Sequence, residues 1–172
     1  YQDILITTGG SEAITLTLLT CLNAGDEIVV PEPFYANYFS FATAADVKVI
    51  PVTSQIENGF ALPPITEFEK KITSRTRAII ICNPNNPTGY LYSWDELMQI
   101  RDLVIKHNLF FICDEVYREL CYDGNAIKSA MLLEGIDQNL ILIDSVSKRY
   151  SATGLRVGVM ASRNRELLLT AL

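Results

Sequence analysis

The sequence predicts an α/β fold: a three-layer α/β/α sandwich built on a mainly parallel, seven-stranded sheet. Three observations carry this. Short, nearly uninterrupted apolar runs such as Ala78–Cys82 and Leu109–Cys113 have the length and composition of strands covered on both faces. They alternate with longer stretches whose apolar residues recur at helical spacing, so most strands are followed by a helix. Polar clusters rich in Gly, Pro and Asn sit just after the apolar runs, where open α/β sheets place their ligands.

Asp3–Thr7 reads as the first strand. It enters a helix through Thr8-Gly9-Gly10-Ser11-Glu12, and Asn23-Ala24-Gly25-Asp26 stops that helix after Leu22. Such a turn leaves backbone N–H groups free at the helix start, which suits a phosphate; a well-capped helix with Ser11 in its first turn satisfies the same pattern. Neither GxGxxG nor GxxxxGKS/T occurs, which argues against dinucleotide and nucleoside-triphosphate sites. Glu27–Val30 is the second strand. It feeds Pro31-Glu32-Pro33 and an aromatic-rich helix opening at Phe34-Tyr35 and running to about Ala45. One of these rings could stack on a flat ligand, with Phe34 the better candidate for the core. Val47–Val52 is the third strand, Ser54–Pro64 a surface loop and Ile65–Ile72 a short helix.

Ala78–Cys82 meets the turn Asn83–Gly89 (NPNNPTG), in which prolines and glycine fix the backbone and three asparagines offer amide hydrogen bonds. Trp94–His107 is an amphipathic helix. Leu109–Cys113 ends in Asp114-Glu115-Val116-Tyr117. A carboxylate at the mouth of a buried strand is costly without a partner. Asp114 either caps a helical turn or, with Tyr117 three residues on, faces a shared ligand. Tyr122–Ala130 is turn-rich, Leu140–Ile143 and Val157–Ala161 are the last strands, and Arg163–Leu172 is a final helix.

At 172 residues the chain can bury one sizeable core. A net charge of −6 argues against nucleic acid as a general partner. No apolar run approaches the roughly 18 residues of a membrane span. Cys21, Cys82, Cys113 and Cys121 form no CxxC pair, which fits reduced thiols in a cytoplasmic protein better than disulfides or a metal site. The single histidine, His107, sits where a helix C-terminus would favour its charge, so no histidine-based nucleophile is expected. The sequence starts at Tyr1 without methionine and closes inside an apolar helical pattern, as expected of a piece of a longer protein.

The segment Leu142–Gly158, LIDSVSKRYSATGLRVG, gathers the strongest signals. Lys148 follows the end of a buried strand and could hold an aldehyde as a Schiff base; Arg156, eight residues on, could hold a phosphate. Taken in order, the phosphate-type turn, the aromatic, NPNNPTG, DEVY and SK…GLRVG resemble the large domain of fold-type I pyridoxal-phosphate enzymes, closest to the class I/II aminotransferases of the aspartate aminotransferase type. The resemblance spans nearly the whole chain, and the three phrases in this order are a specific combination.

The resemblance implies roles for individual residues. Lys148 carries the Schiff base to pyridoxal 5'-phosphate and shuttles the substrate Cα proton. Asp114 pairs with the pyridine nitrogen, and Tyr117 donates to the ring's phenolic oxygen. Asn86 does the same while reaching the substrate carboxylate. Tyr35 stacks on the ring, where relatives often carry tryptophan. Gly10, Ser11, Ser145 and Arg156 hold the phosphate, and Glu12 and Ser147 are grouped with them as cofactor-binding positions. Burial beside Arg156 is expected to favour the neutral Lys148 amine. Glycines 9 and 10 are expected to let the backbone approach the phosphate.

The resemblance further implies amino acid and 2-oxo acid substrates, with aspartate one candidate donor and aromatic or alanine-type donors open, and a homodimer. It implies that residues 1–172 are the cofactor-binding domain without the N-terminal segment and C-terminal small domain of the full enzyme. The competing readings are a lyase or synthase with the same cofactor contacts, and an aminotransferase-like sensor domain of a transcription regulator.

Overall fold

The computed structural model describes residues 2–172. In chain order the elements are β1 (Ile4–Thr7), α1 (Gly9–Cys21), β2 (Glu27–Glu32), α2 (Asn37–Ala44), β3 (Lys48–Thr53), α3 (Ile65–Lys71), β4 (Thr76–Cys82), α4 (Trp94–His107), β5 (Phe110–Asp114), β6 (Leu140–Ser145), α5 (Val146–Arg149), β7 (Gly158–Ala161) and α6 (Arg165–Thr170). Short 3-10 turns cover Ile56–Asn58, Ala130–Leu132 and Thr153–Leu155.

The seven strands form one sheet in the order β1-β7-β6-β5-β4-β2-β3. β3, β2, β4, β5 and β6 are mutually parallel; β7 runs antiparallel to both of its neighbours, β6 and β1. Strand alternation sorts the core into two layers. Ala78, Ile80 and Cys82 of β4 face α1, α2 and α6, with Ile14, Leu18, Tyr38 and Leu168. Ile79 and Ile81 face α3 and α4, with Phe68, Leu97, Ile100 and Val104. The central strands are covered on both faces, which is why they carry no polar alternation.

Element boundaries follow pairing more than composition. β2 runs on through Pro31 and Glu32, past the expected end at Val30, because both register with β3 at Val52 and Thr53. Likewise β6 continues through Asp144 and Ser145, which pair with Val159 and Gly158 of β7. The polar cluster expected beyond this strand is therefore partly its last turn of ladder. α2 opens at Asn37, leaving Phe34 and Tyr35 ahead of the helix. α4 starts with a capping box: Glu96 N–H donates to Ser93 Oγ (3.2 Å) and Ser93 N–H to Glu96 Oε2 (2.7 Å). α6 begins at Arg165 because the Asn164 side chain caps it, accepting from Leu167 N–H at 3.0 Å. All four cysteines are unpaired thiols. Among the described residues no helix is long and apolar enough to cross a membrane, and no group of three or more His, Cys, Asp or Glu could hold a metal.

Candidate active site

Antiparallel pairing of β7 with both β1 and β6 brings three distant segments to one sheet edge. Gly158 opens β7 and registers with Thr7 at the end of β1 and with Ser145 at the end of β6. The start of α1, the turn before β7 and the β6–α5 junction therefore meet, beside the ends of β5 and β4. There a cleft of about 270 Å³ is lined by Gly10, Ser11, Tyr35, Asn86, Asp114, Tyr117, Ser145, Ser147, Lys148 and Arg156, together with Ile14, Cys82, Val116 and Thr153.

One end of the cleft is built for an anion. The first N–H groups of α1, a 13-residue helix, have no intrahelical partner. The Arg156 guanidinium is held beside them by backbone carbonyls, donating from Nη1 to Thr153 O (3.0 Å) and from Nη2 to Thr8 O (3.2 Å). Ser145 Oγ donates to Val157 O (3.0 Å), accepts from Ser147 N–H (3.1 Å) and lies 2.8 Å from Ser147 Oγ.

The glycines here also set how closely the protein's own segments pack. A Cβ on Gly10 would find only ordinary contacts, to Ile143 and Ser145 at 3.8 Å. Gly9 has φ +79° and its Cβ would lie 2.4 Å from Arg156 Nη2. Gly158 is pressed against the α1 start, and a Cβ there would lie 2.4 Å from Gly9 C and 2.6 Å from Gly10 N. Gly9 and Gly158 let the protein's own segments close up. Glu12 lies outside the cleft lining: its carboxylate turns back to accept the Thr8 N–H, capping its own helix.

At the floor sits Asp114, 4% exposed. Its Oδ1 accepts from Val116 N–H (3.1 Å), an Asx-type turn in place of a helix cap, and its Oδ2 accepts from Tyr38 OH (2.7 Å). Burial pushes its carboxyl up to about 6; the Tyr38 and Val116 hydrogen bonds pull it down, while Asp144 and Glu115 push it up. Among the described residues no lysine or arginine forms an ion pair with it. Cys82, beside it, donates its thiol to Pro84 O at 3.2 Å, and burial pushes that thiol up as well.

On the cleft wall, Asn86 Nδ2 donates to Tyr117 OH at 3.2 Å. Burial is the main cause that raises the Tyr117 phenol, followed by the neighbouring Cys82 and Asp114. The other asparagines of NPNNPTG are structural: Asn83 Oδ1 accepts from Tyr92 N–H and Asn85 Oδ1 from Thr88. Tyr35 is half-buried and stands edge-on to Tyr38, ring centroids 5.4 Å apart. Lys148 is the third residue of the four-residue α5, with Nζ 5.9 Å from the Tyr117 ring centroid. Its side chain is exposed at the cleft mouth, so the expected burial beside Arg156 is not in place in this structure.

A family model described as "Aminotransferase class I and II" matches residues 1–171. This chain belongs to the class I and II aminotransferase family. It is 36% identical to aromatic-amino-acid aminotransferase 2 of Thermococcus litoralis, covering 93% of this chain and 41% of the relative. It is 31% identical to an aspartate aminotransferase of Bacillus subtilis with the same coverages, 93% and 41%. Among solved structures, the N-succinyldiaminopimelate aminotransferase of Mycobacterium tuberculosis superposes with a TM-score of 0.92 at 32% identity, over 99% of this chain and 44% of that one. The chain spans about two fifths of the length of these aminotransferases.

Sequence reasoning missed four residues of this aminotransferase chain that line the cleft, Ile14, Cys82, Val116 and Thr153, and one that underlies it, Tyr38. Ile14 follows from its helical spacing, on the same side of α1 as Gly10 and Ser11. Cys82 follows from its place as the last residue of an apolar strand. Tyr38 carries no such signal, because an aromatic on an apolar helix face reads as core.

Proposed function

We propose that this chain is the pyridoxal-phosphate-binding large domain of an aminotransferase that moves an amino group between an amino acid and a 2-oxo acid. The observation that supports it is the gathering of a lysine amine, a buried carboxylate without a cation partner and an anion cradle in one cleft. The donor set fits the group. Asp114 is the acidic partner that a protonated ring nitrogen requires. The α1 N-terminus, Ser11, Ser145 and Arg156 suit a phosphate, with the guanidinium fork offering charge-assisted hydrogen bonds. Asn86 and Tyr117 converge where a phenolic oxygen could accept from both, and Tyr35 offers a ring face.

When bound, pyridoxal phosphate supplies an aldehyde that condenses with amines and a ring that takes up the electron pair left at a deprotonated Cα. The chain's residues do the rest. Lys148 Nζ is the amine that captures the aldehyde and the base that moves the proton at the substrate Cα. Asp114, ionised, keeps a facing ring nitrogen protonated; each pKa step it adds there corresponds to about 1.4 kcal/mol. Tyr117 and Asn86 orient the ring edge, and Arg156 fixes the phosphate end.

The test is a near-UV and visible titration of the chain with pyridoxal phosphate, before and after borohydride, beside Lys148→Ala. The reading expects a pyridoxyl group fixed on Lys148 by reduction and absent from the variant; equal labelling of the variant overturns it. In the full-length protein, an amino donor should yield pyridoxamine phosphate, whereas ammonia plus a keto acid would identify a lyase.

A further inference from the structure

We infer that Arg149 is a positioning residue: from behind the cleft it straps the turn that carries Lys148 to the turn that carries Tyr117. The inference rests on the cofactor reading for its functional meaning. β5 and β6 are parallel neighbours with Asp114 registered opposite Ile143, so Asp144 lies one step further along. By strand alternation Asp144 and Glu115 point away from the cleft side that Asp114 and Ser145 face. Each of these rear carboxylates has an arginine from its own turn: Arg118 Nη1 lies 3.5 Å from Glu115, and Arg149 Nη2 lies 2.6 Å from Asp144.

Arg149 alone among these side chains bridges both turns. Its Nε lies 3.5 Å from Glu119 Oε1, on the segment that follows β5. That Nε is buried and makes no hydrogen bond, so the Glu119 carboxylate is the acceptor positioned to serve it. Asp144 is itself fixed, its Oδ1 accepting from Ser145 N–H at 2.7 Å. Along α5, Arg149 follows Lys148 directly, so one residue looks into the cleft while the next is anchored behind it. The strap sets the 5.9 Å separation between Lys148 Nζ and the Tyr117 ring.

The experiment compares the full 172-residue chain with Arg149→Gln, Asp144→Asn/Arg149→Gln and Glu119→Gln. The first readout needs no cofactor: nuclear Overhauser contacts between the Tyr117 ring and the Lys148 side chain. The second is the rate at which pyridoxal phosphate is trapped by borohydride on Lys148, with inorganic phosphate binding as the control for the anion cradle. We expect the contact to weaken in all three variants. Trapping should slow by about tenfold or more in both Arg149 variants, as for a misplaced reacting group, with phosphate binding kept. The double variant carries no unpaired buried charge. If it regains the wild-type contact and rate, Arg149 only neutralises Asp144 and the strap is overturned. Glu119→Gln cuts only the exposed end, and an unchanged contact there also overturns it. If the unmodified chain traps nothing on Lys148, the cofactor reading fails, while the contact measurement still decides the strap.

Discussion

Replacing Tyr38 by Phe removes one hydroxyl and tests how the floor carboxylate is held. Tyr38 is fully buried and its OH lies 2.7 Å from Asp114 Oδ2. Asp114 is raised from 3.8 to about 6, which corresponds to about 3 kcal/mol against the ionised form at neutral pH. The sign follows from proton affinity. The folded chain holds this proton more tightly than the unfolded one, so the contribution is fully stabilising below 3.8 and is lost as pH rises through about 6. A buried hydrogen bond to a charged acceptor is worth about 1.5–3 kcal/mol. Without it, Asp114 should titrate at roughly 7 to 8, and the loss of stability should extend to that range. Measured by urea unfolding, the deficit of Tyr38→Phe should grow by about 1.5–3 kcal/mol between pH 4 and pH 9. The 13C carboxyl resonance of Asp114 should report the same displacement directly. An Asp114 that titrates at the wild-type pH in the variant, with a deficit independent of pH, would refute the claim that this phenol stabilises the ionised carboxylate.

Gly158→Ala would drive a Cβ into the Gly9–Gly10 backbone. Overpacking against backbone should cost about 1–3 kcal/mol, a fall of roughly 2–12 °C in melting temperature, and should weaken phosphate binding at the α1 start; a calorimetric scan showing no change would count against the close packing of β7 on that turn. Glu115→Ala leaves Ala130 N–H and Ser129 OH, now bonded to Glu115 Oε1 at 2.8 and 3.0 Å, without their acceptor. A loss of about 3 kcal/mol is expected, with amide exchange accelerating at Ala130; unaltered protection there would mean that Glu115 does not close the neck of the 116–128 segment. Arg156→Leu should weaken inorganic phosphate binding while leaving the melting temperature nearly unchanged, because the exposed guanidinium meets only carbonyl oxygens; equilibrium dialysis with unchanged affinity would remove Arg156 from the anion cradle.

The parts of this molecule that could be read from the chain are those where one local property decides. Continuous apolar runs mark strands covered on both sides, and they recover the α/β class and the seven strands. The parts that could not be read are those where the decisive neighbour is far away in sequence. Asp114 and Glu115 are adjacent carboxylates, and nothing local says that the first faces the cleft while the second ties Ser129 and Ala130 on the other side. Gly158 reads as a strand residue until β7 lies against a turn about 150 residues earlier. Tyr38 reads as core, and it is core; 76 residues along the chain, the end of β5 turns its phenol into a donor. The same logic applies to Glu12, a carboxylate in the first turn of a helix, whose local partner is the backbone N–H of Thr8. In each case the residue type allows two uses, and topology selects one by what it places across the strand end. The chemistry of this cleft therefore depends on the pairing order of β1, β7, β6, β5 and β4 as much as on the residues that line it.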